Sequence, residues 1–234
     1  MNTKQLIGND IVDLKTPDAL HFPYKPRYIK RVLCEEEQLF FLSKNKSIDL
    51  FWSYWSAKEA VYRIIKKKDP NSFFSPHAYQ VYFLEKTACP SAGSVTHKGL
   101  TYPVTFSRTN DWVHCIATTL NNTNQIITRI SLNDEIESDD FSLCPEEMLS
   151  VHSKESFLVR CLSKDLLKDL TGKDFQIQRA PLLKKFAPPA LWHNGKKCTD
   201  IDLSMSHDGS FCAAVICGRA HINIPLLSHA LNLQ

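Results

Sequence analysis

Ile201-Asp202-Leu203-Ser204-Met205-Ser206-His207-Asp208-Gly209-Ser210-Phe211-Cys212-Ala213-Ala214-Val215-Ile216-Cys217 reads as a strand, a tight turn at Asp208-Gly209 and a second strand. In the first arm Ile201, Leu203 and Met205 alternate with Asp202, Ser204 and Ser206, the period of a strand with one apolar face. The short turn joins antiparallel neighbours and points to an antiparallel sheet. Ser206 and His207 close the first arm, and a hydroxyl and an imidazole at a strand end are well placed to hold a phosphate. Adjacent Ser and His also suggest a hydrolase. Successive side chains of an extended segment leave on opposite faces, however, so His207 cannot serve Ser206 as a base, and no Gly-x-Ser-x-Gly elbow is present.

Two further segments put charge among apolar neighbours. Gly8-Asn9-Asp10-Ile11-Val12-Asp13-Leu14 alternates as a strand, with Asp10 on the face of Val12 and Leu14 and with Asn9, Ile11 and Asp13 on the other. The run from Leu50 to Lys68 has no Gly or Pro, and helical spacing sets Glu59 on one stripe with Trp52, Trp55, Tyr62 and Arg63. Each acid has an ordinary reading, an edge or turn Asp and a Glu paired with Arg63 one turn on. Two carboxylates on core-facing positions are instead expected to share a cation, because burying a lone one costs several kcal/mol. Magnesium suits, since it binds through one or two carboxylates plus substrate phosphates.

The remaining periodicities predict strands near Tyr79 to Leu84, Tyr102 to Ser107, Trp112 to Thr119 and Ile126 to Leu132. Helices are predicted near Lys25 to Ser43 and Ser153 to Leu170. Ser131 to Ser150 is acidic, holds Pro145 and reads as a linker. Hydrophobic residues make up 43% of the 234, enough for a sizeable core, and no apolar run approaches the roughly 20 residues needed to span a bilayer. Met1-Asn2-Thr3-Lys4-Gln5-Leu6 lacks the apolar stretch of a secretory signal, and the eight Cys show no C-x-x-C pair. The expectation is a cytoplasmic protein with reduced thiols and no membrane segment.

Taken together, these segments resemble the 4'-phosphopantetheinyl transferases. Gly8-Asn9-Asp10-Ile11-Val12-Asp13 is similar to the first strand of the holo-acyl-carrier-protein synthases, and Arg27-Tyr28-Ile29-Lys30-Arg31-Val32-Leu33-Cys34-Glu35-Glu36-Glu37 to the helix start that follows it. Trp55-Ser56-Ala57-Lys58-Glu59-Ala60 is similar to the family's WxxKEA, and Ser204-Met205-Ser206-His207-Asp208 with Ala213-Ala214 to its closing strand pair. The resemblance implies transfer of the 4'-phosphopantetheine of coenzyme A to a carrier-protein serine. Asp10 and Glu59 would be metal ligands and catalytic, with Lys58 beside them, and Arg63, Gly195, Lys196, Ser206 and His207 would contact coenzyme A. Two departures matter. Val12 stands where larger members often have a second acid, and Arg63 stands where a Lys is usual, which removes proton transfer from that position because a guanidinium stays charged.

Length and internal similarity suggest a pair of α+β halves related by a pseudo-twofold axis, each an antiparallel sheet on helices, at residues 1–130 and 151–234 about a linker at 131–150. His97-Lys98-Gly99 followed by Val104 to Arg108 and Trp112 to Ala117 parallels His193-Asn194-Gly195 followed by Leu203 to His207 and Phe211 to Ile216. Ser163-Lys164-Asp165-Leu166 echoes Ala57-Lys58-Glu59-Ala60, and Ile126 to Ile130 offers no acid to match Asp10. One composite site is therefore expected in a monomer, with the halves in the opposite chain order to the usual two-half members. Lys25, Arg27, Lys30 and Arg31 form a basic cluster, which by resemblance would dock an acidic acyl or peptidyl carrier protein. No aromatic platform, zinc spacing or basic recognition helix accompanies it, which argues against nucleic acid. A catalytically silent carrier-binding homologue is the alternative from another class.

Overall fold

A computed structural model describes residues 5–119, 126–138, 141–182 and 185–218. Met1 to Lys4, Asp139 and Asp140 of the acidic stretch, and residues 219–234 of the expected second half lie outside the described residues. The chain is a mixed α+β fold of antiparallel sheets packed against helices. In order it runs β1 (Ile7–Asp13), α1 (Pro17–His21), α2 (Pro26–Val32), α3 (Glu35–Ser43), α4 (Ile48–Lys68), β2 (Gln80–Phe83), β3 (Ala92–His97), β4 (Leu100–Arg108), β5 (Trp112–Thr118) and β6 (Ile126–Leu132). It continues with α5 (Pro145–Met148), α6 (Lys154–Thr171), β7 (Gln176–Gln178), β8 (Pro181–Leu182), β9 (Lys185–Phe186), β10 (Ala190–His193), β11 (Lys196–Lys197), β12 (Ile201–Asp208) and β13 (Phe211–Gly218).

One sheet is ordered β1-β5-β4-β3-β2 and another β12-β13-β6, with β11-β10-β7 and β8-β9 as smaller pieces. The apolar face of α4 (Ala57, Ala60, Val61, Ile64) closes over Val104, Val113, Cys115 and Ala117 of the first sheet. Leu158, Leu162 and Leu166 of α6 close in the same way over Leu203, Ala214 and Ile216. Burying each Val, Leu or Ile among them contributes about 1.5–3 kcal/mol, which is why the long helices set the two layers. Between the sheets Ile7 meets Val215 and Cys217, and Ile11 meets Phe211 and Ala213.

The edge of β1 away from β5 is fully buried, and its outward amides need acceptors. They come from side chains of β12. Asp202 Oδ2 accepts from Ile7 N (2.8 Å), Ser204 Oγ from Asn9 N (3.0 Å), Ser206 Oγ from Ile11 N (3.1 Å) and Asp208 Oδ2 from Asp13 N (2.9 Å). The polar positions of the alternating segment are thus seated on a neighbouring strand instead of facing water, and this ladder fixes the register of the N-terminal strand against the C-terminal hairpin.

The helix expected over Lys25 to Ser43 is two helices. Leu33 is extended and Cys34 is the N-cap of α3, with Glu37 Oε2 accepting from Cys34 N at 2.9 Å. Glu37 also accepts from Val81 N at 2.9 Å and from the Lys58 ammonium at 2.5 Å. The same construction recurs at α5. There Glu147 accepts from Cys144 N (3.0 Å), Ile177 N (2.7 Å) and Lys164 Nζ (3.2 Å). Likewise His97 Nδ1 donates to Ala78 O and His193 Nδ1 to Asp174 O, both at 2.8 Å, ahead of turns with Lys98-Gly99 and Asn194-Gly195 at positive φ. Within the stretch read as a linker, Ser131 and Leu132 end β6, and Glu147 of α5 is buried.

Candidate active site

β1 crosses α4 at Gly8, where a Cβ would fall 1.9 Å from the Ala60 carbonyl oxygen. Only glycine allows that approach, and it brings Asp10, two residues on, to the helix face that carries Glu59 and Arg63. Asp10 is 6% exposed. Its Oδ1 receives Arg63 Nη2 at 3.2 Å and the Ser206 hydroxyl at 3.1 Å. Arg63 Nη1 donates to Met205 O at 2.9 Å, so the guanidinium bridges the strand and β12. Burial raises the Asp10 carboxyl to about 7, with Arg63 opposing and the nearby Glu59 adding to the rise. Burial likewise raises Glu59, again opposed by Arg63.

Glu59, Tyr62 and Arg63 open onto a cleft of about 570 Å³, whose other walls include Lys66, Lys67, Arg179, Phe186, Pro188 and Met205. The cleft thus has one acid, Glu59, on a basic, partly apolar wall, and Asp10 lies behind that wall, bonded to Arg63. Buried Asp10 and half-buried Glu59 both feel one guanidinium, and among the described residues no group of three or more His, Cys, Asp or Glu could hold a metal. That donor set fits a small hard cation that takes one or two carboxylates and fills its other positions with water or phosphate oxygens. It does not fit an all-protein cage.

Residues 6–117, which carry Asp10, Glu59 and Arg63, match the 4'-phosphopantetheinyl transferase superfamily. This stretch is a transferase domain of that superfamily. No curated protein matches the chain. The matched phosphopantetheinyl transferase domain ends before β12, so the Ser206 and Met205 contacts to its acid site come from outside it.

The structure brings together Asp10, Glu59, Arg63 and Ser206, and places Lys58, Gly195 and Lys196 apart from them. Lys58, expected beside the phosphates, is fully buried and donates to Glu37 and to Val32 O (2.8 Å). It leaves the helix on a different face from Glu59, the direction that adjacent helical positions impose. Asn194 and Gly195 form the β10–β11 turn, and Lys196, which opens β11, lines a separate, larger cavity of about 770 Å³ with Lys173, His193 and Lys197. His207 follows Ser206 on β12 with its side chain exposed, near enough to Arg63 for the guanidinium to add to burial in lowering its pKa. Size alone would favour the cavity at Lys196; Glu59 on its wall, with Asp10 behind it, marks the smaller cleft.

Arg179, Lys66, Lys67 and His152 also line this cleft, and no motif in the sequence marks them. Lys66 and Lys67 lie in a run of lysines that reads as a solvated face, and Arg179 carries no motif. Burial lowers the Arg179 pKa to about 10, with Arg160 and Arg63 adding to the effect, which places three guanidiniums in one region. Arg129 of β6 meets the helix in reversed charge, bonding Asp165 (2.5 Å) and Asp169 (2.6 Å) of α6. No acid stands on that strand to make a second pair like Asp10 and Glu59.

Proposed function

We propose that this protein transfers the 4'-phosphopantetheine group of coenzyme A to a serine of an acyl or peptidyl carrier protein, with magnesium at Asp10 and Glu59 and adenosine 3',5'-bisphosphate as the other product. The observation that carries this reading is the pair of acids at the basic cleft, Glu59 half-buried on its wall and Asp10 buried behind it, within a phosphopantetheinyl transferase domain. When bound, magnesium supplies neutralisation of the pyrophosphate charge. Asp10 is held in place by Ser206 and Arg63, and Glu59 sits at the cleft wall to take the proton of the incoming serine hydroxyl. Arg63 and Arg179 supply positive charge for phosphate oxygens, and Phe186, Pro188 and Met205 give apolar wall to the rest of the donor.

Lys25, Arg27, Lys30 and Arg31, on and just before α2, are all exposed, in keeping with docking of an acidic carrier. The repeated Cys-Glu-Lys construction at Glu37 and Glu147 supports two related halves in one monomer, which would supply one composite site per chain. The test is intact-mass spectrometry of an apo acyl carrier protein incubated with coenzyme A, magnesium and this protein, alongside Glu59→Ala. A phosphopantetheine-sized gain that the variant lacks is the expected result. Binding of carriers without any gain would overturn catalysis in favour of a silent carrier-binding homologue.

A further inference from the structure

Arg63 stands where two demands meet. Its Nη2 holds the buried Asp10 and its Nη1 the Met205 carbonyl, yet its Nε is buried without a hydrogen-bond partner. Its side chain is 36% exposed at the cleft wall, whereas that of Asp10 is 9% exposed. The guanidinium is therefore the member of the pair that a ligand in the cleft can reach, and the carboxylate the enclosed one. A divalent cation on Asp10 would stand beside the guanidinium in a poorly solvated place, where like charges repel strongly. A phosphate in the cleft would offer the planar fork a pair of acceptor oxygens and so meet its unsatisfied bonding.

We propose that Arg63 is an internal counter-ion that closes the Asp10–Glu59 pair to a divalent cation until a phosphate-bearing ligand in the cleft draws it away. The inference rests on the function proposed above. It makes cation and phosphate ligand mutually supportive, since coupling between two sites is reciprocal. Arg179 sets the contrast. It is also a guanidinium of the cleft, but it is bonded to the Ala187 and Phe186 carbonyls and not to either acid.

The test is a titration of the full chain with Mn²⁺, read by the electron paramagnetic resonance signal of the free ion, with and without coenzyme A. Without coenzyme A, Arg63→Gln is expected to bind Mn²⁺ about 5- to 100-fold more tightly than the parent, the size of a typical coupling between sites. Arg179→Gln is expected to stay near the parent, and saturating coenzyme A to close most of the gap between the parent and Arg63→Gln. Arg63→Lys, which keeps the charge but loses the fork, is expected to show the same rise in smaller measure and answers the question if the Gln variant does not fold. Equal affinity in parent and Arg63 variants, or an equal rise in Arg179→Gln, would overturn the counter-ion role while leaving the transferase reading standing. Absence of Mn²⁺ binding in every protein, with and without coenzyme A, would overturn both.

Discussion

The Ser206 hydroxyl donates to the Asp10 carboxylate across 3.1 Å while its oxygen accepts from the amide of Ile11, so one side chain from near the C-terminus aims an acid near the N-terminus and caps the strand that carries it. Ser206 is therefore a positioning residue. Ser206→Ala leaves Ile11 N without its buried acceptor and removes a donor from Asp10. The expected loss is about 1–3 kcal/mol of stability in urea unfolding, the usual cost of an unsatisfied buried group. A residue that served only to contact a phosphate would leave the unfolding midpoint of the ligand-free protein unmoved.

Lys58 and Glu37 form an ion pair whose side chains are 0% and 2% exposed, and the carboxylate also caps Cys34 and Val81. Lys58→Met strands that charge, and losing one partner of a buried pair costs about 3–5 kcal/mol. The variant is expected to melt well below the parent, with turnover per folded molecule preserved when activity is normalised to the folded fraction by circular dichroism. A folded Lys58→Met protein with normal stability and no turnover would return Lys58 to the reacting groups.

Gly8→Ala is expected to be worse than its size suggests. The new methyl would lie 1.9 Å from Ala60 O, a backbone atom that cannot step aside, so the strand must move off the helix. Overpacking of this kind costs about 1–3 kcal/mol. Because the displaced strand carries Asp10 away from Glu59 and Arg63, turnover should fall further than stability, as kcat measured below the melting transition would show.

The legible parts of this chain were those in which chemistry and periodicity lie close together in sequence. Gly8 to Asp13, the Leu50 to Lys68 helix and the Ile201 to Cys217 hairpin each declare themselves through a local pattern, and Asp10, Glu59 and Arg63 do meet. Partners set by the tertiary fold were not legible. Nothing local says that Glu37, 21 positions before Lys58, takes its ammonium, or that the polar face of β12 caps the β1 edge 195 residues away. Lys196 follows a glycine turn, but that turn belongs to the small β11-β10-β7 sheet and its lysine lines a different cavity from Glu59. Arg179 precedes a short irregular hairpin with no periodicity to mark it.

The pH dependence of stability follows from two buried groups with opposite signs. In the metal-free protein the Asp10 carboxyl stands at about 7 against an ordinary 3.8, because burial disfavours its charge. Between those values the folded state keeps a proton that the unfolded chain has released, so this group makes stability fall as pH rises, by up to about 1.4 kcal/mol per pH unit. His114 is fully buried on β5, with its Nε2 3.1 Å from Asn9 Nδ2, and burial lowers its pKa from 6.5 to about 3. There the unfolded chain binds the extra proton, so stability falls as pH drops below about 6.5. The two slopes oppose each other in mildly acid solution and flatten the parent's profile. Asp10→Asn removes one and should leave stability rising with pH over that range; His114→Gln removes the other and should leave it falling. Urea midpoints with a chelator present, taken at about pH 4.5 and about pH 6.5, read both signs directly. Parallel profiles for the two variants would mean that neither group titrates where its burial puts it.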